Sequence, residues 1–441
     1  MNAPSRSTLA GRLFAHVEAL FPLCRSITGP GLRATLDHVG AEIPLLRREV
    51  PSGAKVLDWE APLEWTPRGA VLETLDGRRL LDFADNNLHL MQYSTAIDCV
   101  VPIEELQRHL HSLPAQPDLI PYRTAYFARS WGLCLPHRLR ETLTEPAYRV
   151  RIDADLAPGA LSYGECVIPG DGPGEVLVSS HCCHPSLADD NLSGIALAVE
   201  WAKAVAARPR RRFTWRFLFA PGTIGAICWL AANPDARARV RHGLVLTCLG
   251  DGSPFRWKRT RREDHAIDRV LGHVLRHDSP ANATLPFSPY GYDERQYGSP
   301  GFDLPVGCLQ RGIHGTFPEY HTSADNLDFV RPEHLERSFG VLRAVEQVLE
   351  EDERLRSTAP YGEPQLGRRG LYRAIGGGEA GFDQMALLWV LNQADGGPSL
   401  LDIAERAGLP FAQIRAAARA AAAAGLLVPV DPVSTASPGG S

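Results

Sequence analysis

The sequence has 441 residues, a formal net charge of -5, 44% hydrophobic residues and 22% charged residues. This balance is that of a folded globular protein and excludes a chain that is disordered throughout. No apolar run approaches the roughly 18 residues that a membrane-spanning helix needs, and the first twenty residues lack the apolar core of a signal peptide. The acidic balance provides no general attraction for nucleic acid. We therefore expect a cytoplasmic protein that binds neither membranes nor nucleic acid.

Nine cysteines are spread along the chain, and no CxxC pair occurs. An odd number of cysteines without a secretion signal predicts reduced thiols that are mostly buried. The missing CxxC pairs argue against zinc fingers and thioredoxin-like redox chemistry.

Four regions follow one another along the chain. Helical periodicity over 8–45 predicts two helices, separated by the turn-rich segment CRSITGPG. From 50 to 150, short alternating stretches with turn signals predict a small β-rich domain. From 160 to 355, strands alternate with helices, which predicts an α/β sheet covered on both faces. The last region opens with the Gly-rich loop IGGGEAG, and its short helices are typical of a winged helix.

The segment SSHCCHPSLADDNLSG, residues 179–194, carries the strongest chemical signal. A Val- and Leu-rich strand ends at His181, and open α/β sheets place ligand sites at such strand ends. Three polar residues, 189–191, then precede a long helix, although an N-cap needs only one of them. A second segment, EYHTSADNLDFV, supplies His321. Because imidazole and carboxylate are the usual ligands of zinc, we predict a metal site containing His181, Asp189 and His321.

These motifs resemble those of a known clan. SSH, LADDNLSG and HTSADNL are similar to the ligand motifs of the zinc aminopeptidases, a clan that includes leucyl aminopeptidases, glutamate carboxypeptidases and glutaminyl cyclases. RSITGPG, LHLMQYS, IPYRTAYF and YDERQYGSPGFDLPVG resemble a bacterial aminopeptidase-like family of that clan, and the similarity covers nearly the whole chain. The resemblance implies an α/β fold with a zinc-aminopeptidase-like mixed β-sheet flanked by helices, an inserted β-rich domain and a C-terminal winged helix.

The expected domain organisation follows from composition and resemblance together. It comprises an N-terminal helical part of the peptidase-like domain (1–50), the inserted β-rich domain (51–155), the peptidase-like α/β domain (156–360), a winged-helix-like domain (365–432) and a disordered tail (433–441).

The winged-helix region is poor in basic residues. Between Phe382 and Val430 it contains only Arg406, Arg415 and Arg419. Because DNA binding depends on phosphate neutralisation, this composition argues against a transcription regulator. A docking or dimerisation role is the better prediction, and a homo-oligomer is therefore possible.

Carried over residue by residue, the resemblance implies metal ligands at His181, Asp189 and His321. Asp251 falls where the clan places a further carboxylate ligand, and its alternative is a turn residue in Gly-Asp-Gly. The resemblance also implies a cis peptide bond between Asp189 and Asp190, and Asp190 is a candidate catalytic residue beside the ligands.

The sequence departs from the clan at two places. Where the clan has a Glu-Glu pair that supplies the general base and a metal ligand, this chain has Gly222 and Thr223. Neither replaces a carboxylate in those roles. Cys183 stands where the clan has an aspartate that orients the first histidine, and a thiol is a weak partner for that task. We therefore predict one zinc ion, or a different metal, instead of a two-zinc centre, with His184 beside the ligands.

The loop GYDERQYGSP supplies the replacement base in this interpretation. Asp293 and Glu294 lie in this polar loop, and Glu294 is the predicted base. The alternative is a surface ion pair between Glu294 and Arg295.

Four residues are predicted to bind the substrate. A guanidinium offers two parallel donors to a planar anion, and tyrosine hydroxyls hydrogen-bond to the same groups. The predicted contacts are Tyr292, Arg295, Arg311 and Tyr320, and ordinary loop packing is the alternative.

The sequence thus predicts a zinc-dependent hydrolase of aminopeptidase type. It is expected to cleave an amide or peptide bond of a small or modified amino-acid substrate. Because Gly222 and Thr223 replace the Glu-Glu pair, the alternatives are a non-catalytic binding protein or a cyclase- or lyase-like enzyme on the same scaffold.

Overall fold

The computed structural model describes residues 7–371 and 382–430. The predicted Gly-rich loop IGGGEAG and the predicted tail at 433–441 lie outside the described residues. The chain divides into two compact units, of which the first comprises Met1–Asp268 with Ala283–Phe339 and the second Arg269–Asn282 with Gly340–Ser441.

The N-terminal third consists of helices followed by short strands. Its elements are α1 (Leu9–Leu20), α2 (Pro30–Glu42), β1 (Leu46–Pro51), β2 (Lys55–Val56), β3 (Trp59–Glu60), β4 (Glu64–Glu73), β5 (Arg79–Asp82), β6 (Ile97–Pro102), α3 (Ile103–Leu106), β7 (Leu110–His111), β8 (Leu133–Cys134), α4 (His137–Glu141) and β9 (Ala147–Ala157). Helix α1 begins after Thr8, whose hydroxyl accepts the N–H of Gly11, and it buries one stripe that includes Leu13 and Val17.

The region predicted to be β-rich contains a four-stranded antiparallel sheet in the order β5-β4-β9-β6. Strand β9 alternates buried and exposed residues over most of its length. That alternation is typical of a sheet with one face on a core and the other in water.

The elements of the central α/β region are β10 (Ala160–Ile168), β11 (Glu175–His181), α5 (Gly194–Ala206), β12 (Thr214–Ala220), α6 (Ile224–Ala232), α7 (Ala236–Arg239), β13 (Val240–Leu246), β14 (Arg256–Lys258), α8 (Ala266–Asp278), β15 (Ala283–Leu285), α9 (Glu294–Tyr297), β16 (Val306–Gln310) and α10 (Pro332–Glu351). Together with β1, the strands among these elements build an eight-stranded mixed sheet in the order β1-β10-β12-β11-β13-β16-β14-β15. Strands β12, β11, β13 and β16 run parallel, so their carboxyl ends lie along one edge.

Strand β11 lies in the middle of this sheet, and all seven of its residues are buried. A strand covered on both faces is expected to be rich in apolar residues, which agrees with its central Val176, Leu177 and Val178. Its last residue, His181, therefore reaches the carboxyl edge from a rigid position.

The C-terminal part contains β17 (Arg354–Ser357), α11 (Gln384–Gln393), β18 (Asp395–Ser399), α12 (Leu400–Ala407), α13 (Phe411–Ala423) and β19 (Leu427–Pro429). Its three strands pair in the order β18-β17-β19. Strand β17 precedes position 365, where the sequence places the start of this domain. Ser399 and Asp402 form a capping box at α12.

The search for membrane-spanning helices was negative over the described ranges. None of the helices there combines the length and the apolar character needed to cross a bilayer.

Candidate metal centre

The candidate site lies at the carboxyl edge of the large sheet, where β11 ends. It contains four side chains, which we call the metal cluster: His181, His184, Asp190 and His321. His181 is 1% exposed and Asp190 is 0% exposed, whereas the side chain of His321 is 30% exposed. The cluster is thus buried on the side of the sheet and open on the side of His321.

Asp190 is the centre of this cluster. His181 Nε2 lies 2.9 Å from Asp190 Oδ1, and His321 Nε2 lies 3.0 Å from Asp190 Oδ2. Tyr292 Oη donates a hydrogen bond of 2.7 Å to Asp190 Oδ1. Among the described residues, no lysine or arginine pairs with Asp190. The carboxylate is therefore surrounded by imidazoles and a phenol, without a permanent cation.

His184 completes the cluster. Its Nδ1 lies 3.1 Å from Nδ1 of His181 and 3.9 Å from Oδ1 of Asp190. The potential ligand atoms of His184, Asp190 and His321 all lie within 4.8 Å of one another, and the same is true of His181, Cys183 and His184. Two imidazole nitrogens and a carboxylate oxygen are a common ligand set of zinc, so the chemistry of the donors fits a metal ion.

The contact between His181 and Asp190 also fits an ion. The two atoms are 2.9 Å apart, yet His181 Nε2 has no aligned hydrogen-bond partner among the described residues. A buried nitrogen without an aligned partner beside a carboxylate oxygen is consistent with a cation close to this pair.

The protonation states follow from burial and from the contacts within the cluster. Burial lowers the pKa of His184 well below its usual value, which keeps the ring neutral. Burial by itself raises the pKa of Asp190, but the three histidines outweigh it and the pKa falls well below the usual range. Burial lowers the pKa of His181, whereas its contact with Asp190 raises it to about 10. Neutral imidazole and ionised carboxylate are the forms that bind metals, so a metal ion would have to displace the proton that His181 holds at this pKa.

Asp325 orients the loop that carries Asp190. Its Oδ1 accepts the N–H of Asp189 at 2.6 Å, and its Oδ2 accepts the N–H of Asp190 at 3.0 Å. Burial raises the pKa of Asp325 to about 7. The motif HTSADNL therefore supplies both a member of the cluster, His321, and the carboxylate that positions another.

The sequence analysis places the carboxylate ligand at Asp189, one residue before the carboxylate that lies in the metal cluster. Asp189 Oδ1 accepts the N–H of Gly250 at 2.6 Å, away from the histidines, and Asp190 lies among them instead. Burial raises the pKa of the Asp189 carboxyl well above its usual value. The cis peptide bond joins Asp190 and Asn191, not Asp189 and Asp190. Consecutive residues in an irregular turn point in different directions, so the motif alone does not separate them.

Asp251 does not reach the cluster either. Its carboxylate accepts the backbone N–H of Ser253 at 3.1 Å and the hydroxyl of Ser253 at 2.6 Å. This is the turn conformation that Gly-Asp-Gly also predicts. Neither of the ligand groups that contain a residue of the metal cluster includes Asp251.

The end of β12 has a different construction from the end of β11. Thr223 has a left-handed backbone with φ of 62°, and its N–H donates to Asp293 Oδ1 at 2.6 Å. Gly222 N–H points to Cys183 Sγ at 3.3 Å. A Cβ added at Gly222 would lie 3.6 Å from that sulfur and 3.8 Å from His181 Cβ, which are ordinary contacts. Space for a side chain is therefore present where the clan has its base.

Asp293 is buried beside this turn and is 1% exposed. Burial raises the pKa of Asp293 to about 6, although the N–H of Thr223 and the charge of His181 oppose the rise. The Asp293 carboxylate, which comes from a loop distant in sequence, thus lies against the end of β12, which has no carboxylate of its own.

Glu294 forms a buried ion pair with Lys258, at 2.5 Å between Lys258 Nζ and Glu294 Oε1. Lys258 also donates to the carbonyl of Tyr290 at 2.7 Å. The alternative of a surface ion pair with Arg295 is therefore wrong, because Glu294 is 0% exposed and has a different partner. The pair fastens the loop that precedes Tyr292 to the sheet.

Two of the predicted substrate contacts lie at the cluster. The ring of Tyr292 stacks on His181 with centroids 4.8 Å apart, and Tyr320 stacks on His321 at 3.9 Å. The hydroxyls of Tyr292 and Tyr320 are 3.2 Å apart. They therefore form a polar pair beside Asp190.

The two predicted arginines differ from the tyrosines. Arg311 is 2% exposed, lies over the ring of Phe255 at 4.4 Å and donates to the carbonyl of Asp251. This is the loop-packing role given as the alternative. Arg295 lies on α9 with a partly buried side chain, and its Nε has no hydrogen-bond partner among the described residues.

Further residues around the cluster were not assigned from the sequence. The ring of Tyr122 meets His184 and His321 edge-on, with centroids 4.9 Å apart in both pairs. Arg25 Nε donates to the carbonyl of His184 at 2.8 Å. Both residues lie in segments that carry the family resemblance, RSITGPG and IPYRTAYF, which was the available signal.

The fold is that of the zinc aminopeptidases, followed by a winged helix. A zinc aminopeptidase from Bacillus subtilis matches with a TM-score of 0.59 at 12% identity, over 79% of this chain and 96% of that chain. Residues 353–429 match the winged helix-turn-helix family. The expected fold class is confirmed.

Within this class, the chain belongs to the family described as "Domain of unknown function (DUF4910)", which matches residues 14–352. It is similar to a Clostridium acetobutylicum protein named, by inference, as a polysaccharide biosynthesis protein with an aminopeptidase-like domain. The identity is 43% over 415 residues, covering 94% of this chain and 95% of that protein. A crystal structure from C. acetobutylicum, named by inference as a peptidase, matches with a TM-score of 0.90 at 41% identity and covers 96% of each chain.

Proposed function

We propose that this chain is a metal-dependent hydrolase that cleaves an amide or peptide bond of a small or modified amino-acid substrate. The observation that carries the proposal is the buried Asp190 carboxylate, which contacts two histidine nitrogens and has no lysine or arginine partner among the described residues. A buried carboxylate needs a compensating charge, which a divalent cation supplies when it displaces the proton of His181.

We propose zinc as the ion, in a single copy. When bound, such an ion polarises a carbonyl and lowers the pKa of a bound water to about 7. Asp190 and His321 would hold it, and Asp325 keeps Asp190 in place by accepting the Asp190 backbone N–H. The absence of carboxylates at Gly222 and Thr223 supports one ion over two.

We place the proton acceptor at Asp293. The carboxylate of Glu294 is engaged by the ammonium of Lys258, whereas Asp293 lies at the strand end next to His181. Its pKa of about 6 suits a group that must be ionised near neutral pH and still accept a proton. Asp293 takes the proton from the attacking water and delivers it to the leaving amine.

Tyr292 and Tyr320 are proposed to bind the substrate. Their hydroxyls lie 3.2 Å apart beside Asp190, and because Tyr292 donates its proton to Asp190, Tyr320 is the one that can donate to an oxygen at the scissile group. The stacked rings also exclude water from one side of the histidines. Arg295 is a further candidate contact for a substrate carboxylate.

A second candidate function is a binding protein or a cyclase-like enzyme on the same scaffold. Gly222 and Thr223 support it, because neither accepts a proton from water. We propose a cytoplasmic location, since all nine cysteines are free thiols, and we expect no nucleic acid among the partners.

The proposal is tested by metal content and turnover in the same preparations. The full chain is purified without chelator, and its zinc is measured for the unmodified chain, Asp190→Asn and the matched control Asp171→Asn, which alters an exposed ion pair with Arg210. We expect close to one zinc per chain, lost only in Asp190→Asn. Aminoacyl amides and amides of amino sugars form the substrate panel, the latter because of the name of the Clostridium relative. A chain that never holds metal contradicts the proposal.

A further inference from the structure

Because this chain differs from the clan at several ligand positions, it offers a metal ion fewer carboxylate ligands. Thr223 directs its N–H to Asp293, Asp251 is bonded to Ser253, and Asp189 is bonded to Gly250. One oxygen of Asp189 and both oxygens of Asp251 are thus engaged outside the metal cluster, and position 223 has no carboxylate. Asp190 is the carboxylate of the cluster, and the nitrogen donors around it are imidazoles.

The histidines are not equivalent in position. His181 contacts Oδ1 of Asp190 and His321 contacts Oδ2, so the two rings lie on different sides of the carboxylate group. The ligand group that contains both Asp190 and His321 contains His184, with all ligand atoms within 4.8 Å, and does not contain His181.

His184 is also held in place. Its carbonyl accepts a hydrogen bond of 2.8 Å from the Nε of Arg25, which is 1% exposed. Its ring is 4.9 Å from the ring of Tyr122, in an edge-on arrangement, and 5.1 Å from the ring of His321. The ring is therefore fixed close to both other members of the group before any ion binds, as a ligand should be.

We propose that His184 is a direct ligand, and that the ion is bound by His184, Asp190 and His321. His184 thereby replaces the carboxylate ligand that is lost at Thr223, and His181 supports Asp190 through its contact with Oδ1, outside the ligand set. Three protein ligands leave one position of a tetrahedral zinc ion for water, which is the arrangement of a catalytic site. This inference rests on the proposed function, which requires an ion but does not require His184.

The test measures binding of cobalt(II), a coloured substitute for zinc, to the metal-stripped full chain. Affinity and visible absorption are recorded for the unmodified chain, His184→Ala, His321→Ala and His181→Ala. We expect one equivalent in the unmodified chain. Loss of His184 or His321 is expected to weaken binding more than the roughly 10–100-fold that loss of an outer partner causes. His181→Ala is expected to stay within that smaller range.

Two further variants keep the result interpretable. His89→Ala removes another partly buried histidine, one that is hydrogen-bonded to the carbonyl of Cys134, and should bind cobalt as the unmodified chain does. His184→Gln retains a polar side chain of similar reach in case the alanine variant does not fold. It should change the cobalt spectrum, because an amide oxygen replaces an imidazole nitrogen.

Failure of the proposed function and failure of the inference about His184 give different results. If the unmodified chain binds no cobalt or zinc, the proposed function is wrong and the inference falls with it. If His184→Ala and His184→Gln bind cobalt with unchanged affinity and spectrum while His181→Ala loses it, His184 is not a ligand. The proposed function then stands with His181 as the ligand.

Discussion

Two clusters of this protein combine histidine with carboxylate side chains. One is the metal cluster at the end of β11. The other, which we call the helical cluster, consists of His16 on α1, Glu42 on α2 and Glu200 on α5. In each, three potential ligand atoms lie within 4.8 Å of one another. By composition and spacing alone, both are candidate metal sites.

Their charges differ. Glu200 accepts hydrogen bonds from Arg12 Nε at 2.9 Å and Lys203 Nζ at 2.8 Å, and Lys203 also pairs with Glu42. Burial alone raises the pKa of Glu200, but the hydrogen bonds from His16, Lys203 and Arg12 lower it to about 2. The helical cluster is neutralised by the protein itself.

The metal cluster has no such cation among the described residues. Asp190 is 0% exposed and is contacted by histidines and Tyr292. Ligand spacing therefore does not identify a metal site unless the charge balance is also examined. A permanent cation within hydrogen-bond distance replaces the ion, whereas histidines can give up their protons to one.

The largest expected effect comes from Asp190→Asn. Replacing the charged oxygen should abolish zinc binding and turnover together, since the variant removes the carboxylate that the ion neutralises. The matched change in the helical cluster, Glu200→Gln, should leave the zinc content of the chain unchanged. Elemental analysis of both purified variants checks the pair. Zinc that is lost from Glu200→Gln would overturn the comparison.

The next effect concerns proton transfer. Asp293→Asn should retain zinc and lower kcat by about 10²–10⁴-fold, the usual contribution of a general base. Burial raises the pKa of Asp293 to about 6, and the base must be ionised. In the unmodified chain, kcat/KM should therefore fall as the pH drops below about 6.

Glu294→Gln distinguishes the two acidic residues of this loop. If that variant is folded and inactive while Asp293→Asn turns over normally, the sequence prediction of Glu294 as base is the better one. A denaturation curve is needed for Glu294→Gln, because the change leaves Lys258 without its buried partner.

Glu200→Gln should lower stability instead of activity. Loss of hydrogen bonds to charged partners is expected to cost about 1–3 kcal/mol in the free energy of unfolding. Urea denaturation at neutral pH measures it, with Asp171→Asn as the exposed control. An unchanged midpoint would mean that Arg12 and Lys203 find equivalent partners.

The same residue predicts a dependence of stability on pH. The pKa of Glu200 is about 2 in the folded chain, below its ordinary value of 4.5. Its contribution is therefore present above about pH 4.5 and is lost as the pH falls from there toward 2. The loss of melting temperature between pH 5 and pH 3 should be smaller in Glu200→Gln than in the unmodified chain. Equal slopes would contradict the assignment.

The smallest effect is expected at Gly222. A Cβ there makes contacts of 3.6 and 3.8 Å only, so Gly222→Ala should change the free energy of unfolding by no more than about 0.5 kcal/mol. Zinc content should also be unchanged. A strong loss of either would show that the strand end requires glycine for its backbone path.

Much of the fold followed from periodicity and motif. The buried Val- and Leu-rich strand before His181, the helix after Gly194 and the capping box at Ser399 are all local patterns, and local patterns are readable in the sequence. His181 and His321 were also located by their motifs. The ligand roles assigned to them remain predictions.

The sequence by itself determined which segments meet at the carboxyl edge of the sheet, because strand ends and helix starts are set by neighbours along the chain. Only the tertiary structure decided that Asp190 and not Asp189 faces the histidines. The partners that orient them, Asp325 and Gly250, lie more than fifty residues away. It also decided that Glu294 pairs with Lys258. The direction of a side chain in an irregular turn depends on such distant hydrogen bonds and on the charge around it, and neither has a period that a sequence can display.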